Sequence, residues 1–208
     1  MSKRAVFAAL LAIIFAAPST AQERLGDPKL IQSSAERQLP RIVDGFLIGS
    51  AHWSDANARL ALMEALTQWL SSECDLPSTP DLPRVLLVAP RQISAIRYGR
   101  LLSSASQANA SAGDEADDRT VAIYVDSERT IYLPDNFTGS TPADLSILVH
   151  EVVHHMQNIA GLRYDCPRAR EKPAYLAQER WLAQFGQDLW GQFQIDPLTL
   201  LVNSACIS

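Results

Sequence analysis

Basic charge is in short supply in this 208-residue chain: 18 Lys and Arg stand against 23 Asp and Glu, a formal net charge of −5. That balance does not furnish the cationic surface of a nucleic-acid binder, and no nucleic-acid partner is indicated. Cysteine is scarce as well. Cys74, Cys166 and Cys206 lie far apart with no CxxC pair, which argues against a cysteine-based zinc site and leaves room for one bridge and one spare thiol. Long apolar runs are confined to residues 5–17, too few to span a bilayer comfortably. Against these absences, 47% of the residues are hydrophobic and 20% charged, the composition of a chain that buries a core.

The apolar run at 5–17 follows Lys3 and Arg4 and precedes Pro18-Ser19-Thr20-Ala21, the order of a secretory signal peptide with cleavage after Ala21. Cleavage leaves residues 22–208 as one domain with no stable membrane anchor. It removes two cations and no acid, so the net charge moves from −5 to −7. A secretory leader places the protein in the periplasm or outside the cell, where a disulfide persists.

Along the remainder, residues 22–50 are weakly periodic and read as an arm that packs late or stays partly loose. Leu60, Leu62, Met63, Leu66, Trp69 and Leu70 recur at helical spacing, with Ser54 or Asp55 as cap. After a proline-rich break at 77–83, Arg84–Ala89 reads as a short buried strand, and Ile93, Ile96, Leu101 and Leu102 as a second helix. Residues 103–119 are small and polar and read as a loop. Val121–Val125 and Thr130–Leu133 flank a four-residue polar link, the pattern of a β-hairpin. Thr141-Pro142-Ala143-Asp144 then opens a well-capped helix with a broad apolar face that Gly161 ends. A further helix is expected from about Arg170 to Gly186, and a short one after Pro197.

Three of the four histidines sit on the capped helix. His150-Glu151-Val152-Val153-His154 is an HExxH motif. Residues four apart share a helix face, so His150 and His154 can grip one metal ion, while Glu151, to the side, can take a proton from a water at that metal. The flanking Leu148-Val149 and Val152-Val153 pairs bury the motif, and burying two histidines and a glutamate without a metal or partners is costly. A hydrolytic zinc site takes a third protein ligand and keeps one open position. Glu171, the first glutamate a short turn can bring back, is the candidate, with Asp165 and Glu179 as alternatives. Pro173 then requires the helix to begin near Glu171.

The pair formed by HExxH and Glu171-Lys172-Pro173-Ala174 resembles the gluzincin metallopeptidases, in which a Glu from a following helix completes the site in an ExxA motif. The stretch from Leu148 to Gln157, with Ala174, Tyr175 and Gln178, is also similar to exported bacterial proteins of this arrangement. The likeness covers about residues 120–186. It implies a compact α+β fold, a small mixed sheet with a β-hairpin packed on a zinc-binding helix pair. It further implies a Zn²⁺ cofactor held by His150, His154 and Glu171, and hydrolysis of a peptide or protein substrate through a zinc-bound water with Glu151 as general base. The alternative is a catalytically inactive zinc-binding exported protein that acts by binding a partner. The resemblance also implies an edge strand that receives extended peptide, for which Ile131-Tyr132-Leu133 is the candidate.

Other residues carry weaker readings. Tyr175, one turn beyond Glu171, faces the same region, either to hydrogen-bond a ligand or as a half-buried helix contact. His155, about 100° round the helix from His154, belongs beside the site or at the surface rather than among the ligands. His52 has no reason to be near it, and Tyr164 and Arg163 are candidates to line the cleft. Cys166–Cys206 is the favoured disulfide, since Cys166 immediately precedes the ligand helix, with a Cys74 pairing as the alternative.

Overall fold

A helix over residues 39–47 (α1) is the first element of the computed structural model, which describes residues 39–104 and 122–206. The expected leader at 1–21, most of the expected arm and most of the expected 103–119 loop lie outside the described residues. Within the arm, Leu39, Val43 and Phe46 fall at i, i+4 and i+7 and are buried in the core. Of the two expectations for the arm, late packing or partial looseness, the second does not hold for this part: the apolar spacing is helical, and the face it forms has a core to meet.

α2 (Ala56–Glu73) is capped by Asp55, whose carboxylate accepts from the backbone N–H groups of Asn57 and Ala58, and it buries Leu62, Met63, Leu66 and Leu70. β1 (Arg84–Val88) leads into α3 (Pro90–Ser104), where Pro90 occupies the first helical position. The helix thus takes the first two residues of the expected loop. β2 (Ile123–Val125) and β3 (Thr130–Pro134) form the expected hairpin, its turn closed by Arg129 at φ 51°.

The sheet has the order β1-β3-β2, with β1 parallel and β2 antiparallel to β3, so it is small and mixed as expected. β3 is central, and Thr130, Ile131 and Leu133 are buried on it. Two expectations change here. Arg84–Val88 is an edge strand in which Leu86 and Leu87 stay 37% and 41% exposed, because a three-stranded sheet leaves its outer strand half covered. Ile131–Leu133 has strands on both sides and offers no edge to a peptide.

α4 (Pro142–Ile159) starts as its sequence dictates: Thr141 accepts from the Asp144 N–H, Pro142 fills the first position and Asp144 sits in the first turn. Leu145, Leu148, Val149, Val152, Val153 and Met156 are fully buried, each contributing about 1.5–3 kcal/mol of hydrophobic stabilisation. The helix ends with Gly161 at φ 61°, whose left-handed conformation lets the Leu162 N–H reach back to the Gln157 carbonyl. A single 3₁₀ turn (Pro167–Arg170) then feeds α5 (Glu171–Ala183). Pro173 lies in the first turn of α5, where no N–H is required.

α5 lies along α4. Ala174 and Ala177 are buried at the contact, and the Trp181 indole donates to the Pro142 carbonyl at 3.0 Å. α6 (Leu189–Phe193) follows, a short helix not expected from the sequence. α7 (Pro197–Ser204) closes the described chain. Cys166 and Cys206 are disulfide-bonded, which ties the end of α7 to the turn that precedes α5. Cys74 is free and half-buried, and burial pushes its thiol up. Among the described residues no helix is long and apolar enough to cross a membrane.

A non-reducing peptide map should therefore link Cys166 to Cys206 and leave Cys74 as a thiol; a Cys74 disulfide would refute this. Because the bridge joins positions 40 residues apart, the double Cys166→Ser/Cys206→Ser variant should lose up to about 4 kcal/mol in urea unfolding.

Candidate metal centre

Helical spacing places His150 and His154 on one face of α4, and the close passage of α5 over Ala174 brings Glu171 to meet them. The three donor atoms form a triangle. His150 Nε2 and His154 Nε2 each lie 3.2 Å from Glu171 Oε2, and 3.2 Å from each other. The two imidazole side chains are 12% and 9% exposed and the carboxylate 30%, so the group is buried on the α4 side and open on the Glu171 side.

This donor set fits a metal ion. Two imidazole nitrogens and one carboxylate oxygen suit zinc, and tetrahedral bonds of about 2.0–2.1 Å put neighbouring donors about 3.3 Å apart. His150, His154 and Glu171 can hold a metal. Burial works to raise the Glu171 carboxyl, but the hydrogen bonds and positive charge that His150 and His154 supply when protonated outweigh it and hold the group well below the usual carboxylate range. What the carboxylate demands is positive charge at the centre, which a proton on either imidazole or a metal ion supplies.

Glu151 is buried beside this group without joining it. Burial raises its carboxyl to about 7; His150 and a hydrogen bond from the Tyr124 backbone N–H pull the other way, and the negative charge of Glu171 adds to the rise. A carboxyl poised near neutrality can carry protons on and off a reacting group.

The competing ligands are elsewhere. Glu179 Oε2 accepts from the Leu189 N–H at 2.8 Å, fastening the start of α6, and Asp165 is exposed. Tyr175 sets its ring edge against His150 at 4.8 Å and 69°, its hydroxyl bonded to Asn203 of α7. It is a helix contact that steadies the His150 ring. His155 is fully buried, which excludes a surface position: Nε2 lies 2.8 Å from the Asp81 carbonyl and Nδ1 3.1 Å from the Tyr124 hydroxyl, and burial lowers its pKa. It fastens α4 to the sheet in the neutral form. His52 and Arg163 are exposed, and Tyr164 lines a shallow depression with Asp126, Asn158 and Arg170; none of the three belongs to the metal group.

Sequence reasoning gave no role to the residues behind the ligands. His150 Nδ1 lies 3.1 Å from Gln178 Oε1, and His154 Nδ1 lies 3.1 Å from Gln157 Oε1. Arg170, immediately before Glu171, makes a bidentate pair with Asp126 at 2.8 and 2.9 Å and donates to the His154 carbonyl at 3.3 Å. The available signal was spacing: Gln157 is three residues past His154, and Gln178 two turns past Glu171.

Residues 55–207 match the family DUF6647, described as a domain of unknown function, and the chain belongs to that family. No curated protein and no solved structure matches it. The matched residues include the whole metal group.

Glu171→Ala should weaken zinc binding by more than about 100-fold, beyond the 10–100-fold typical of changes behind the ligands. Glu179→Ala and Asp165→Ala should bind zinc as wild type does. Competition with a chromogenic chelator measures all three, and unchanged affinity in Glu171→Ala would remove Glu171 from the ligand set.

Proposed function

We propose that this protein is an exported zinc-dependent metallopeptidase that hydrolyses peptide bonds. The observation that carries the reading is the placement of Glu151: a buried carboxyl, pushed up by burial to about 7, beside three convergent metal donors that it does not join. His150, His154 and Glu171 would hold the ion with one net negative charge, leaving the partly exposed side for substrate. Zinc, when bound, supplies Lewis acidity toward a carbonyl oxygen and lowers the pKa of water to about 7.

Glu151 removes the proton of the attacking water and returns it to the leaving amine, so one carboxyl serves as base and then as acid. The Tyr124 N–H holds that carboxylate in place. Peptide alignment falls to β2, the edge strand packed against α4 among the described residues, in place of the central Ile131–Leu133 segment. Export rests on the leader-like order of residues 1–21.

Glu151→Gln should retain zinc and lose peptide hydrolysis by about 10²–10⁴-fold, the usual weight of a general base. Hydrolysis of a mixed peptide library by wild type, Glu151→Gln and chelator-treated protein tests this. A Glu151→Gln enzyme as fast as wild type would overturn the assignment, and zinc binding without any hydrolysis in wild type would favour the partner-binding alternative. The pH profile has a defined sign. Glu151 acts as a base only when ionised, and a metal cation shifts its ionisation downward from about 7, so kcat/KM should fall on the acid side along a limb centred at or below pH 7.

A further inference from the structure

Behind each imidazole runs a chain of hydrogen bonds that ends on a backbone carbonyl. A carbonyl can only accept, so the direction of every bond back to the ring follows from it. Gln157 Nε2 donates to the Arg170 carbonyl at 3.0 Å, which turns Gln157 Oε1 toward His154 Nδ1 at 3.1 Å. The amide oxygen requires a donor, so the proton of His154 resides on Nδ1. On the other side, the Ser146 hydroxyl donates to the Ala143 carbonyl at 2.7 Å and has spent its proton there. Its oxygen therefore accepts from Gln178 Nε2 at 3.2 Å, which turns Gln178 Oε1 toward His150 Nδ1 at 3.1 Å. His150 also carries its proton on Nδ1.

We infer that Gln157 and Gln178, the latter with Ser146, are positioning residues that lock both histidines as Nδ1–H tautomers, so that two Nε2 lone pairs face Glu171 before any metal arrives. The inference rests on the metal-centre reading for its purpose, while the tautomer is a property of the metal-free protein. Gln178, Gln157 and Ser146 are all buried, so water does not compete for these bonds. The chains also cross between elements. Gln157 projects from α4 to the residue before Glu171, and Gln178 projects from α5 back to His150 and Ser146 on α4. Each glutamine therefore fixes a ring and the spacing between the helices that carry the ligands. Both amides are neutral, so within this group the negative charge comes from Glu171 alone.

The test uses the full chain. Nitrogen-15 NMR of the imidazoles in metal-free protein, at a pH well above the ordinary imidazole range, reads the tautomer; chelator competition reads zinc affinity. Wild type should show protonated Nδ1 and bare Nε2 at both His150 and His154. Gln157→Met and Gln178→Met, which keep volume and lose the bonds, should each give mixed tautomers at their own histidine and bind zinc about 10–100-fold more weakly. Gln178→Glu restores an acceptor for His150 Nδ1–H, to which the Ser146 hydroxyl can turn and donate, so it should recover the tautomer and zinc affinity to within a few-fold of wild type. Protonated Nε2 in metal-free wild type would overturn the inference without any variant, as would methionine variants with wild-type tautomers and affinity. Wild type that shows the Nδ1–H tautomers yet fails to bind zinc would support the locking role and overturn the metal reading instead.

Discussion

Two imidazole nitrogens and a carboxylate oxygen held 3.2 Å apart in a triangle need positive charge among them, whether a proton or a metal ion. The elements around the group impose that proximity. α4 supplies two donors through its periodicity alone. The third requires α5 to approach at close range, which Ala174 and Ala177 permit, and to begin at the right residue, which the 3₁₀ turn and Pro173 arrange. The apolar face of α4 provides the energy, since six of its side chains are fully buried, and that stabilisation offsets the cost of crowding lone pairs.

Around this centre the polar groups are organised so that few of them act singly. Arg170 joins the hairpin turn to α4 through its guanidinium and accepts from Gln157 through its carbonyl, and the next residue is Glu171. His155 bonds both to the loop before β1 and to Tyr124 of β2, while the backbone of Tyr124 holds Glu151. The sheet thus holds Glu151, and the helix pair brings together the three donors that could hold a metal.

What could be read from the sequence was what is local. HExxH needs only a helix, and the caps at Thr141, Pro142 and Gly161 announced one. Glu171 was within reach because a single short turn connects it to the motif helix. The hairpin was legible for the same reason. The sheet order was not: β1 joins β3 as a parallel neighbour through a register that pairs Arg84 with Thr130, and nothing in either strand's own residues says which of the three lies in the middle. Gln157 and Gln178 belong to a likeness in which the sequence assigns them no role, because a glutamine's function depends on what stands at both ends of its amide, here including residues 13, 28 and 32 positions away. His155 looked peripheral for the same reason, its partner at Asp81 being 74 residues distant. The residues 39–47 did carry a helical signal in Leu39, Val43 and Phe46, but a helix that short gains its stability from the core it meets.

The half-covered outer strand has a bearing on how the protein behaves in concentrated solution. β1 presents Leu86 and Leu87 on an edge, and among the described residues no strand pairs with its far side; such an edge is a template for self-association and fibrillar stacking. Its counterweights are visible in the chain: the strand is five residues long, opens with a charged Arg84 and is bracketed by Pro83 and Pro90, which have no N–H to donate to an extended ladder.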